Sequence, residues 1–199
     1  YMKKMICAIV ALSMFSEARA EGVYRVTYSG TVSQGYDVLG WFGQMFVRLD
    51  GLPFTSQFVF STPMPGALLY GDETTSYIAG GQMLGRPSPV SATLNINGVS
   101  QAIPGTYYGI AFQKNSENGG IDKIYHSASF THPYYNRGVS FEISRSQVNF
   151  LNSNSIESPI DYLVEDGVSA FGGFDFDLPE LDGRGRAAGG LKVTRISIA

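Results

Sequence analysis

His126 and His132 are the only two histidines of the chain, six residues apart in a segment thick with aromatic side chains: Tyr125, Phe130, Tyr134 and Tyr135. Two imidazoles with a carboxylate such as Asp122 would make a metal set, and one imidazole alone a general base. The spacing argues against both. The two histidines straddle the end of an alternating run, His132-Pro133 opens a loop, and no third ligand stands at a characteristic distance. Asp175 and Asp177 share one face of an expected strand, with Phe174, Phe176 and Leu178 on the other. Paired carboxylates hold calcium or do acid–base work on glycosides. Alternation with apolar residues describes instead the solvent face of a half-buried strand. Asp161, Glu165 and Asp166 form a second acidic group, with no D-x-D-x-D-G pattern around any of these residues. Serine is plentiful, but no G-x-S-x-G elbow occurs. Gly183-Arg184-Gly185-Arg186 with Gly189-Gly190 does not open a helix, so it reads as a hairpin loop and not as a phosphate cradle. No catalytic residue, metal ligand or cofactor is expected on this showing.

Recognition through aromatic side chains is better supported. Trp41 is the single tryptophan, within Gly40-Trp41-Phe42-Gly43. A flat ring on a loop can hold a sugar, and the same pair of rings can plug one end of a β-structure. Tyr107-Tyr108 and Tyr134-Tyr135 are adjacent pairs, so on a strand one tyrosine of each pair faces out. An exposed tyrosine binds at low entropic cost through two χ angles and one hydroxyl. The candidate ligand-binding residues are therefore Tyr108, Tyr135, Trp41 and His126.

These residues must be positioned by strands. Tyr24, Val26 and Tyr28 alternate with Arg25, Thr27 and Ser29; Val90, Ala92, Leu94 and Ile96 alternate with Ser91, Thr93 and Asn95. Asn97-Gly98 then precedes Val99 to Ile103, the strongest short hairpin signal, because a type I′ turn needs φ > 0 at both central residues. Further runs cover 107–113, 121–130, 138–144, 174–178 and 191–198. Glycines at 80–81, 119–120, 172–173 and 183–190 read as punctuation between runs, as do Pro63, Pro65, Pro87, Pro89 and Pro104. Ser158-Pro159 offers an N-cap and first turn, so 158–166 is the one short helix expected. The expected fold is all-β: an antiparallel sandwich, jelly-roll-like, of roughly eight to ten strands. Its core is expected to draw on Tyr24, Val26, Tyr28, Phe54, Phe58, Phe60, Leu94, Ile96, Ile110, Phe112, Phe141, Ile143, Phe174, Phe176 and Val193.

The first twenty residues read as a secretory leader: Lys3-Lys4, the apolar run Met5 to Phe15, then Ala18-Arg19-Ala20 with cleavage before Glu21. The run is shorter than the roughly 20 apolar residues a membrane helix needs. Without residues 1–20 the chain keeps 11 Lys and Arg against 16 Asp and Glu, so its net charge moves from −3 to −5. A mildly acidic chain with no basic cluster lacks the footprint of a nucleic-acid binder. Cys7, the only cysteine, lies in the leader, so residues 21–199 are expected as a single domain without disulfides, held by its core.

Tyr28-Ser29-Gly30-Thr31-Val32, the Gly40–Gly43 loop, Leu49-Asp50-Gly51 with Phe54, Phe58 and Phe60, then Phe174-Asp175-Phe176, a Gly-rich loop and the closing strand Gly190 to Ile198 together resemble a group of uncharacterised secreted bacterial β-sandwich proteins, many of which carry a C-terminal Pro-Glu-Pro sorting tail. The match spans about a third of the chain, and the sorting tail is not part of it. The resemblance implies a β-sandwich and export, and no catalytic residues. The expected function is a non-catalytic binding or structural protein, secreted or periplasmic, at the cell surface or in the matrix, without a transmembrane anchor, its partner a glycan or another surface protein. The competing readings are a polysaccharide enzyme using a carboxylate pair and a small outer-membrane barrel. The barrel is disfavoured by a last strand that ends Ile196-Ser197-Ile198-Ala199 and by outward faces without a continuous apolar band. Intact mass of the exported protein is expected to match a chain that starts at Glu21; a mature species that retains Met5 to Phe15 would overturn the leader.

Overall fold

The computed structural model describes residues 22–116, 120–146, 150–178 and 185–199. The leader expected over residues 1–20 and its cleavage site lie outside these residues, as do Gly183 and Arg184 of the expected loop. The described backbone forms β1 (Gly22–Asp37), β2 (Val47–Arg48), β3 (Pro53–Thr62), β4 (Leu68–Gly71), β5 (Thr75–Gly80), β6 (Val90–Ile96), β7 (Val99–Ile103), β8 (Tyr108–Lys114), β9 (Ile121–His132), β10 (Tyr135–Ser146), β11 (Ile160–Leu163), β12 (Ser169–Asp177) and β13 (Arg186–Ile198), with one short 3-10 turn at Gln82–Leu84. Among the described residues no helix is long and apolar enough to cross a membrane.

All pairings are antiparallel, and the strands make one sheet in the order β4-β5-β8-β9-β10-β12-β13-β1-β3-β6-β7, with β2 beside β1 and β11 beside β13. The all-β antiparallel class expected from the alternation is what the chain adopts. It does so as one sheet curled on itself, with thirteen strands in place of eight to ten. The Asn97-Gly98 hairpin forms as expected, with φ of 51° and 90° at the two turn residues. The helix expected over 158–166 does not form. Ile160–Leu163 is β11, which pairs with Leu163↔Arg195 to Ile160↔Ile198. β12 covers only the first half of β13, so the remainder needs a partner, and that long-range demand overrides a local capping pattern.

The interior is an aromatic seam. Tyr28 of β1 stacks on Phe141 of β10 at 4.4 Å, Phe141 on Phe54 of β3 at 5.6 Å, and Phe58 stands edge-on to Tyr28 at 5.9 Å. Two strands, β12 and β13, lie between β1 and β10 in the sheet, so this contact crosses the inside of the curl. Gly172 of β12 exists to clear the seam: a Cβ there would sit 2.4 Å from the Phe141 ring. Gly172-Gly173 and Gly189-Gly190 are thus strand interior, which corrects their reading as punctuation. Val26, Tyr28, Phe54, Phe58, Phe60, Leu94, Ile96, Phe141, Ile143, Phe174, Phe176 and Val193 are buried as expected, and Tyr24 is half-buried against them.

β8 is inverted relative to expectation. Gly109, Ala111 and Gln113 face inward, while Ile110 and Phe112 lie on the outer face. Space decides this: a Cβ at Gly109 would already lie 2.4 Å from the Ser88 hydroxyl, so the inner side admits only small residues at that point. Gln113 enters the interior with its amide donated to the Ser153 carbonyl at 2.7 Å. Truncation of Phe58 to Ala is expected to cost about 3–5 kcal/mol in a urea melt. Ile110→Ala, on the outer face, is expected to cost less than half as much; the reverse order would restore the register read from the sequence.

Candidate functional site

At one end of the curl the chain after β1 turns over the interior. Asp37 is fully buried, and its carboxylate accepts N–H bonds from Leu39, Gly40, Trp41 and Phe42 at 2.7–3.2 Å. One carboxylate thereby satisfies four backbone donors that a tight loop would leave unpaired. The loop is locked, and its two rings are aimed. Phe42 is buried edge-on to Phe174 and Phe176, at 5.5 and 5.3 Å, and is the plug. Trp41 is half-buried against Phe176. The Arg137 guanidinium of β10 lies over the Trp41 ring at 4.7 Å and over the Tyr135 ring at 4.9 Å. His132 stacks on Tyr135 at 4.8 Å. Trp41 and Tyr135, named from the sequence, therefore meet, and Arg137 between them in this cluster is the residue that sequence reasoning missed. Its signal was parity: Tyr135 and Arg137 continue the inward face of Val139 and Phe141.

Tyr108 is on the other side of the sheet, so no single tyrosine face unites it with Tyr135. Its surroundings are a row of outward rings at matched register: Tyr70↔Tyr77, Tyr77↔Phe112, Phe112↔Tyr125. Tyr70 stacks on Tyr77 at 5.2 Å, and Tyr77 on Phe112 at 6.4 Å. The row continues through Glu142 to Phe171, which is exposed. Burial first, and the phenols of Tyr125 and Tyr77 next, raise the Tyr108 hydroxyl above its ordinary pKa. Asp72 pins the edge of the row by accepting the Tyr70 hydroxyl at 2.6 Å; that bond, with N–H bonds from Thr74 and Thr75, holds its carboxyl down to about 2.

Beside the rings runs a trough. Ser127, Ser129, Gly138, Ser140, Gly173 and Asp175 border a depression of about 360 Å³. A second, of about 270 Å³, shares Ser140 and Gly173 with it and reaches Tyr125, Glu142 and Phe171. Gly173 pairs with Gly190 and Asp175 with Ala188, and both partners line a third depression of about 420 Å³ bounded by Tyr36, Arg48 and Arg186. Every charge along the trough is paired. Arg186 makes a two-pronged contact to Asp175 at 2.7 and 2.6 Å, Lys123 meets Glu142 at 2.7 Å, and Arg48 meets Asp50. Asp175 and Asp177 do share the outward face, but Asp175 is engaged by this arginine.

His126 is not on any surface, which corrects its place among the binding candidates. It is 1% exposed, between Phe58 and Phe60 rings, with Nδ1 2.7 Å from the Tyr28 hydroxyl. Inward parity on β9 put it there. Burial pulls its pKa down to about 3 and pushes that of Tyr28 up, so both are neutral. The hydroxyl then donates to Nδ1, and Nε2 carries a proton with no partner among the described residues. Asp122 is likewise not a metal ligand beside it. Its carboxylate accepts N–H bonds from Ser116, Phe150 and Leu151, tying down the opposite end of the curl.

The chain matches no protein-family model, no curated protein and no solved structure.

The unfolded His126 takes up a proton near pH 6.5, whereas the folded one resists it until about pH 3. Stability is therefore full above pH 6.5 and falls with pH below it, by up to about 1.4 kcal/mol per pH unit. Urea midpoints between pH 7 and 4.5 are expected to show this slope in the wild type and its loss in His126→Gln; equal slopes would place a charged imidazole in the fold.

Proposed function

We propose that this chain is a secreted, non-catalytic binding protein that takes a neutral glycan in the trough of its outer face. Two glycines carry the reading. Gly138 and Gly173 have no positive φ, and a Cβ at either would meet nothing closer than 3.7 and 3.6 Å. Neither backbone conformation nor packing demands glycine there, and glycine weakens a strand interior. What the missing side chains do provide is an open floor. Serine hydroxyls on that floor supply donors and acceptors, and Tyr125, Phe171 and Tyr108 supply ring faces for the C–H face of a sugar. Paired charges on all sides favour an uncharged, hydroxyl-rich ligand over an ionic one. The export part of the reading rests on Lys3-Lys4, the run Met5 to Phe15 and Ala18 and Ala20.

The test is a glycan array followed by calorimetric titration of the best neutral oligosaccharide. Gly138→Leu and Gly173→Leu are expected to keep the melting temperature within a few degrees and to weaken binding at least tenfold, with Tyr125→Ala weakening it as well. Absence of any neutral glycan ligand, or leucine variants that bind like the wild type, would overturn the reading. Turnover of a hit that is lost in Asp175→Asn would replace it with a glycan-processing enzyme.

A further inference from the structure

At the Trp41 end of the curl, several hydrogen-bond donors have no acceptor among the described residues. The Arg137 guanidinium makes no ion pair among the described residues; its one described hydrogen bond is from Nη1 to the Ala102 carbonyl at 3.2 Å. Its Nε is buried without a partner, and so is Nε1 of Trp41, on the ring that the guanidinium covers. His132 adds a third donor. Its Nδ1 accepts the Tyr134 N–H at 3.3 Å, which places a ring proton on Nε2. Asp37, the buried carboxylate at this end among the described residues, is engaged by four backbone N–H groups. Unmet buried donors are costly, and a guanidinium held flat against rings keeps its edge for a planar, two-pronged partner.

We propose that this cluster is a second binding site, separate from the outer-face trough, which takes the carboxylate of an acidic sugar such as a hexuronate. Arg137 grips the carboxylate through the outer, Nη edge of its guanidinium. His132 donates from Nε2, and the Trp41 ring backs the guanidinium. The Tyr135 and Phe130 rings, 5.5 Å apart and packed with His132 and Arg137, leave the pyranose only their edges to lie against. The carboxylate complements a cation without an anionic partner among the described residues, and the pyranose complements the rings; a bare inorganic anion would use only half of the site. The position of Trp41 is fixed from behind by the Asp37 bonds and by Gln101 Nε2, which donates to the Trp41 carbonyl at 2.5 Å, so the donors are arranged before any ligand arrives.

Trp41 is the single tryptophan, so its emission reports on this site directly. The chain is titrated with glucuronate oligosaccharides, with the matching glucose oligosaccharides, and with acetate and sulfate. A saturable change in Trp41 emission is expected with the glucuronate series alone, weakening as salt is raised. Arg137→Gln is expected to weaken it at least tenfold, and Arg137→Lys, which keeps the charge but not the fork, by several-fold with near-UV circular dichroism unchanged. Gly173→Leu, in the outer trough, is expected to leave it untouched, so the two sites fail independently. No response to glucuronate, an equal response to glucose, or an Arg137→Lys variant that folds and binds like the wild type would overturn the site. A response to acetate or sulfate as strong as that to the sugar would reduce it to an anion contact and overturn it too.

Discussion

The contact of Tyr28 with Phe141 and His126 is the constraint on which the rest of the molecule depends. Three side chains from β1, β10 and β9 meet across the inside of the curl, one pair stacked at 4.4 Å and one hydrogen-bonded at 2.7 Å. A strand's side chains alternate strictly, so pinning one residue inward settles the direction of every other residue on that strand. Tyr28 pinned inward brings Val26 with it. Phe141 brings Val139, Arg137 and Tyr135, and His126 brings Ala128, Phe130 and His132. The cluster at the Trp41 end is the same inward face continued past the point where the core stops.

Both ends of the curl are closed by the same device. Asp37 at one end and Asp122 at the other are buried carboxylates whose oxygens collect backbone N–H bonds from irregular chain. Neither needs a counter-ion of opposite formal charge, since several N–H dipoles take that part. Acidic residues that look like metal ligands or catalytic groups in a linear reading are here the fasteners of loops. Asp175, held by Arg186, and Asp161, held by both prongs of Arg195, instead tie neighbouring strands together.

The two proposed sites differ in kind because they occupy opposite faces. The outer trough has paired charges and a floor of serine and glycine. The Trp41 end has rings, an arginine and unmatched donors. Gly172 and Gly173 are neighbours in sequence and show the distinction well. Gly172 is forced by the Phe141 ring against its inward side, whereas Gly173 points outward into space that a larger residue would fill.

Alternation and turn chemistry are local properties, so the all-β antiparallel class, the Asn97-Gly98 hairpin and most core residues were legible in the sequence alone. The outward pairing of Asp175 with Asp177 followed from period two in the same way. What the sequence left open depended on long-range partners. The unpaired half of β13 made a strand of Ile160–Leu163 where local capping pointed to a helix. The approach of Ser88 to Gly109 turned β8 over and sent Phe112 outward. Inward parity buried His126 and, a few residues on, assembled Trp41, Tyr135 and Arg137 from segments about a hundred residues apart in the chain. Periodicity specifies that a strand has two faces; only the packed partner decides which of them is inside, because the free energy of burial belongs to the contact and not to the residue.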